Sequence, residues 1–134
     1  MPTITLQAEF SLFPDNTVLG PSFTLAAFTF TDIGGTPSFV NVSGAVKGLQ
    51  FPGAGVKVKL PVVSNRVNIR AAAFAGPFDI IAKNSAGATL VTRVVPGDNA
   101  PHAIALTSVG IARVDFVGGN NEGNIISISI KITI

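Results

Sequence analysis

The sequence predicts an all-β fold: one antiparallel β-sandwich spanning residues 1–134, with nine or ten strands. Three observations carry this. Apolar and polar residues alternate with a period of two in run after run, the mark of a half-buried strand. Clusters of Gly, Pro, Asn and Asp punctuate the runs at intervals of roughly 8–12 residues. No stretch carries a 3.6-residue stripe of helix formers.

Taken in order, Thr3–Phe10 places Ile4, Leu6, Ala8 and Phe10 on one face and Thr5, Gln7 and Glu9 on the other. Phe23–Thr31 is apolar on both faces and reads as one strand covered on each side, or as an intersubunit contact. Ser38–Gln50 supplies one or two strands. Gly55–Leu60 sets Val56, Val58 and Leu60 inward and Lys57 and Lys59 outward. Arg66–Ala73 alternates Val67, Ile69, Ala71 and Ala73 with Arg66, Asn68 and Arg70. Phe78–Lys83, Thr89–Val95, His102–Thr107 and Ile111–Val117 follow. From Asn124, Ile126, Ile128, Ile130, Ile132 and Ile134 share a face opposite Ser127, Ser129, Lys131 and Thr133. The turns at 13–16, 32–35, 52–55, 84–87, 96–99 and 118–121 hold residues suited to fixed or positive φ.

Composition bounds the surface. Apolar residues make up 47%, with 14 glycines besides, and charged residues only 12%, about half the usual ~25%. Disorder is excluded by the apolar content. So few charges leave apolar area to be covered, and large apolar patches on soluble proteins mark interfaces. The expectation is therefore a homo-oligomer: a non-catalytic structural or surface-assembly protein that associates through apolar surface. The isoleucine-rich last strand would be an edge hazard unless central or covered.

The chemistry available is sparse. With no Cys there is no disulfide framework or thiolate site. His102 is the single histidine, and no Gly-x-Ser-x-Gly elbow accompanies it. Glu9 and Glu122 are the only glutamates, and nothing in the spacing of the aspartates selects a catalytic pair. The expectation is no enzyme. Gly53–Ala54–Gly55 and Gly118–Gly119 precede no helix and read as turns, not phosphate cradles. Net charge is +2. Lys57, Lys59, Arg66 and Arg70 could form a short basic stripe, but without exposed aromatics they read as a solvated sheet face, so nucleic acid is not an expected partner. No segment suits a membrane-spanning helix, and Met1–Thr5 has neither the basic start nor the apolar stretch of a signal peptide. Asn41–Val42–Ser43 matches a glycosylation acceptor.

Calcium is the most plausible metal, because it takes six to eight oxygens from carboxylates, amides and carbonyls. The segment 118–124 offers Asn120, Asn121 and Glu122 on a glycine-rich loop, to which Glu9 or Asp98–Asn99 could add. All ten aromatics are phenylalanine, so a sugar would have to be held by Asn, Asp and Arg on loops. A glycan-binding module, with or without calcium, is the alternative function, with Asp98, Asn99, Asn120 and Asn121 as ligand contacts in the loops 97–100 and 118–124, and Glu9 and Glu122 as metal ligands.

Gly48–Leu49–Gln50–Phe51, then Val56–Lys57–Val58–Lys59–Leu60–Pro61 and Val67–Asn68–Ile69–Arg70, resemble bacterial secreted β-sandwich modules of the galactose-binding-like, carbohydrate-binding-module type. Phe78–Gly87 is similar to their hairpin, Gly110–Phe116 to their penultimate strand and Ala8–Glu9–Phe10 to their first. The resemblance implies jelly-roll topology, a glycan partner, an extracellular or surface-associated location, and Glu9 as a matching calcium acid. The aspartate pair that ends such modules is replaced here by Asn124–Ile125–Ile126–Ser127.

Overall fold

A computed structural model describes residues 2–133. Ten strands run in antiparallel pairs: β1 (Thr3–Glu9), β2 (Ser22–Leu25), β3 (Phe28–Asp32), β4 (Phe39–Ser43), β5 (Val46–Phe51), β6 (Val56–Ala73), β7 (Phe78–Lys83), β8 (Thr89–Val95), β9 (His102–Gly118) and β10 (Gly123–Thr133). Two single 3₁₀ turns, Phe10–Leu12 and Gly119–Asn121, are the remaining helical elements among the described residues.

The two longest strands make the sandwich. β6 has 18 residues and β9 has 17, and they pair from Val56↔Phe116 to Ala71↔His102. Straight, such a strand would reach roughly 55 Å. Instead the pair folds back at Pro61–Asn65 and Val109–Gly110, where the register shifts. At the end of β6 the amide of Asn99 donates to the Ala73 carbonyl at 3.1 Å, continuing the ladder with β9, and that of Phe74 to the Glu122 carbonyl at 3.4 Å, continuing the ladder with β10. One layer then reads β4-β5-β10-β6-β9, with β1 continuing the line of β5 along β10. The other reads β2-β3-β6-β9-β7-β8. Phe51 of the first layer meets Phe78 and Phe116 of the second at 5.0 and 6.0 Å, and Phe10 meets Phe30 at 5.4 Å.

Several sequence expectations change in detail. Gly55–Leu60 and Arg66–Ala73 are halves of one bent strand, as are His102–Thr107 and Ile111–Val117. Lys57 and Lys59 therefore lie on the opposite layer from Arg66 and Arg70, and the single basic stripe does not form. Phe23–Thr31 is a hairpin, not one strand: Ala26 and Ala27 turn it at φ 51° and 69°. Ser38–Gln50 contains two strands. A bulge between Ile125 and Ser127 resets the last strand, so Ile125 and Ile128 enter the main core while Ile126 sits on the outer face with Val46, Ala72 and Phe74. Ile4 is half exposed, and Ile134 lies outside the described residues. The last strand is flanked on both sides, by β6 on one and by β5 and β1 on the other.

The apolar surplus is absorbed inside. Six phenylalanines and most of the Ile, Leu and Val of the strands are buried in one core shared by both layers. The large apolar side chains left outside are Ile4, Leu12, Val18, Ile33, Val42, Val94 and, at the bends of β6 and β9, Val62, Val63 and Val109.

Candidate functional site

The outer face of the first layer is polar by strand parity. With Val67, Ile69 and Ala71 in the core, Arg66, Asn68 and Arg70 must point outward. Pairing extends these residues into rows: Glu9, Ser127, Arg70 and Ala103 lie side by side across four strands, and Gln7, Ser129, Asn68 and Ala105 form the next row. Ser and Ala make a low floor, while the longer Gln7, Arg66 and Arg70 stand above it. The result is a depression of about 370 Å³. It shares Arg66 and Asn68 with a second of about 710 Å³, lined also by Val63, Asn65, Lys131 and Thr133. Together they form one open groove along β10 and β6.

The groove is rich in hydrogen-bonding side chains. Arg66 Nε donates to Asn68 Oδ1 at 3.3 Å, which holds the amide in the middle of the floor. Gln7 Nε2 donates to Glu9 Oε2 at 2.8 Å. Among the described residues, Arg70 and Lys131 have no ion-pair partner; the ion pairs join Lys83 and Arg113 to Asp115, and His102 to Asp98. One end of the groove is flanked by the apolar patch of Val46, Ala72 and Ile126, with Phe74 half-buried against it.

The loops expected to bind ligand do come together, at one end of the sandwich, but they are occupied with each other. Asn120 Nδ2 donates to the Ala75 carbonyl at 2.5 Å, and Asn121 Oδ1 accepts from the Gly53 amide at 2.6 Å. Gly97 abuts the backbone of Gly76, which joins the 97–100 loop to the same segment. Asn99, Asn120 and Asn121 all adopt positive φ. The Asn120 and Asn121 side chains thus tie the 118–124 loop to neighbouring segments.

Asp98 accepts from the Ala100 amide at 3.2 Å and contacts His102 Nε2 at 2.9 Å through both carboxylate oxygens. The His102 hydrogen bond holds the Asp98 carboxyl below its ordinary value of 3.8. A lowered acid contributes its stabilisation above the ordinary value and loses it as pH falls below that value. His102→Ala is accordingly expected to raise the Asp98 titration midpoint, read from its side-chain carbon by NMR. An unmoved midpoint would contradict the pairing.

Glu9 and Glu122, the expected calcium acids, are not brought together. Glu9 sits opposite Ser127, five residues along from Glu122, a distance of roughly 16 Å in extended chain. Among the described residues, no three His, Asp or Glu side chains gather in one place. Nor is any described helix long and apolar enough to cross a membrane.

No protein-family model matches the sequence, and no curated protein sequence matches it. Solved structures do match. A variant family 29 carbohydrate-binding module complexed with mannohexaose superposes with a TM-score of 0.55 at 11% identity, covering 98% of this chain and 93% of that one. The CBM36-1 domain of a multidomain xylanase, from the hindgut metagenome of Trinervitermes trinervoides, gives 0.55 at 12% identity and covers 98% of both. Another variant of the family 29 module, complexed with cellulohexaose, gives 0.50 at 16% identity over 78% of this chain and 91% of that one. The chain therefore has the jelly-roll β-sandwich fold of carbohydrate-binding modules. The structures it resembles are those of binding modules. That likeness corrects the self-associating structural reading, whose physical premise also fails: the excess apolar residues went into an interlayer core and not onto one exposed face.

Proposed function

We propose that the protein is a glycan-binding module that lays a carbohydrate chain along the groove on the outer face of β1, β10, β6 and β9. The observation that carries this is the groove itself. Low ground at Ser127 and Ser129 on one side and at Ala103 and Ala105 on the other flanks a row of Arg66, Asn68 and Arg70 on β6, which offers its amide and guanidinium groups along the groove, on a fold shared with carbohydrate-binding modules. Sugar hydroxyls both donate and accept, and Asn and Gln amides offer both functions in one group. An open groove suits a polymer, whose ends need not be enclosed. An extracellular or surface location is part of the same proposal.

Electrophoresis through gels containing soluble polysaccharides tests it. Retardation is expected with at least one of glucomannan, xylan or pectate. Asn68→Ala is expected to weaken it about tenfold, the loss of one or two hydrogen bonds worth about 1.4 kcal/mol. Asn99→Ala in the loop is expected to leave retardation unchanged, as is a chelator, because the groove residues include no gathered set of acids. Unhindered migration in every gel would contradict the proposal.

A further inference from the structure

The charge of the groove goes further than its shape. Arg66, Arg70 and Lys131 all line it, and Arg66 and Arg70 stand on one strand face roughly 13 Å apart. In the paired rows across its floor the sole carboxylate is Glu9, which accepts a hydrogen bond from Gln7. None of the three cations is paired with an acid among the described residues. The floor carries no aromatic ring on which a neutral sugar face could stack, and Phe74 at its end is half-buried against Val46, Ala72 and Ile126. Binding energy in such a groove must come from polar contacts. The strongest of these are charge-assisted bonds, about twice as strong as neutral ones, and a guanidinium engages a carboxylate with two parallel bonds.

We propose that the groove selects a polysaccharide bearing carboxylates, a uronic-acid polymer, over its neutral counterpart. This rests on the carbohydrate-binding reading above. Arg70 is the central contact: it stands beside Ser127 on the floor and its guanidinium is committed to no protein carboxylate. Arg66 and Lys131 extend the same cationic track toward the far end of the groove.

Calorimetric titration of the full chain with an oligogalacturonate, its methyl ester of equal length and a glucomannan oligosaccharide tests the inference. At low salt the acid is expected to bind at least about tenfold more tightly than the ester. The gap should narrow as salt screens the charges. Arg70→Gln, Arg66→Gln and Lys131→Gln are each expected to weaken the acid by a larger factor than the ester, so that the gap between the two ligands narrows. Their melting midpoints should match the parent, since all three side chains are exposed. Equal binding of acid and ester would overturn the inference while leaving the carbohydrate reading intact. So would binding of the glucomannan alone, or glutamine variants that bind the acid as the parent does. Failure of all three ligands would overturn the inference, and together with unhindered migration in every gel it would overturn the carbohydrate reading too.

Discussion

Phe51→Ala is expected to destabilise the protein by about 3–5 kcal/mol, as large-to-small aromatic changes in a core do. Phe51 projects from β5 between the layers, edge-on to Phe78 at 5.0 Å and 89°, and tilted against Phe116 at 6.0 Å. Its ring also fills the space over Gly123, where any Cβ would collide with it. Truncation removes the apolar burial and leaves a cavity that two strand backbones cannot close. The thermal midpoint should fall by roughly 10–20 °C. Phe23→Ala, which removes a half-buried ring stacked on Phe30 at 4.7 Å, should cost clearly less. A loss below about 1 kcal/mol for Phe51→Ala would show that the layers are not joined through this cluster.

Gly48→Ala is expected to cost about 3 kcal/mol, at the upper end for overpacking. A Cβ here would drive into the buried Asn124 side chain and the Ile125 carbonyl. Neither is the free end of a flexible chain: Asn124 is 1% exposed, and Ile125 is paired to Leu49. The neighbouring backbones would have to part. β5 would move away from β10 and take with it Val46, which covers the apolar flank of the groove. Gly34→Ala is the control. Its Cβ would meet only the Ala54 methyl at 3.7 Å, an ordinary contact, so its effect should stay within about 0.5 kcal/mol. Urea unfolding of the three proteins distinguishes the outcomes.

The strands and their inward faces were legible because period two is a local property. Phe78–Lys83 and Thr89–Val95 have the bounds the alternation assigns. What failed was non-local or lacked the expected residue type. The hairpin at Ala26–Ala27 hid because alanine at positive φ carries no turn signature, and apolar residues on both arms mimicked a single strand. The bend in β6 was invisible because Pro61 and Asn65 look like the end of one strand and the start of another. The bulge at Ile126 moved one isoleucine to the outer face while preserving the alternation beyond it.

The candidate site divides the same way. The outward parity of Arg66, Asn68 and Arg70 could be read from β6 alone. That Gln7, Ser127 and Ser129 stand beside them depends on the pairing of the first strand with the last, which no local pattern encodes. Asn120 and Asn121 attracted notice as exposed oxygens on a glycine-rich loop. Their amides bond the Ala75 carbonyl and the Gly53 amide. Short polar residues close turns as readily as they bind ligands, and sequence shows the residue types without showing which use wins.

Amide chemical-shift mapping tests where a glycan lies. As the chain is titrated with the oligosaccharide that binds in the gels, the largest perturbations should fall on Asn68, Arg70, Ala103, Ala105, Ser127 and Ser129, on four adjacent strands. Perturbations confined to the loops 97–100 and 118–124, with the sheet face unmoved, would contradict a groove-borne carbohydrate chain.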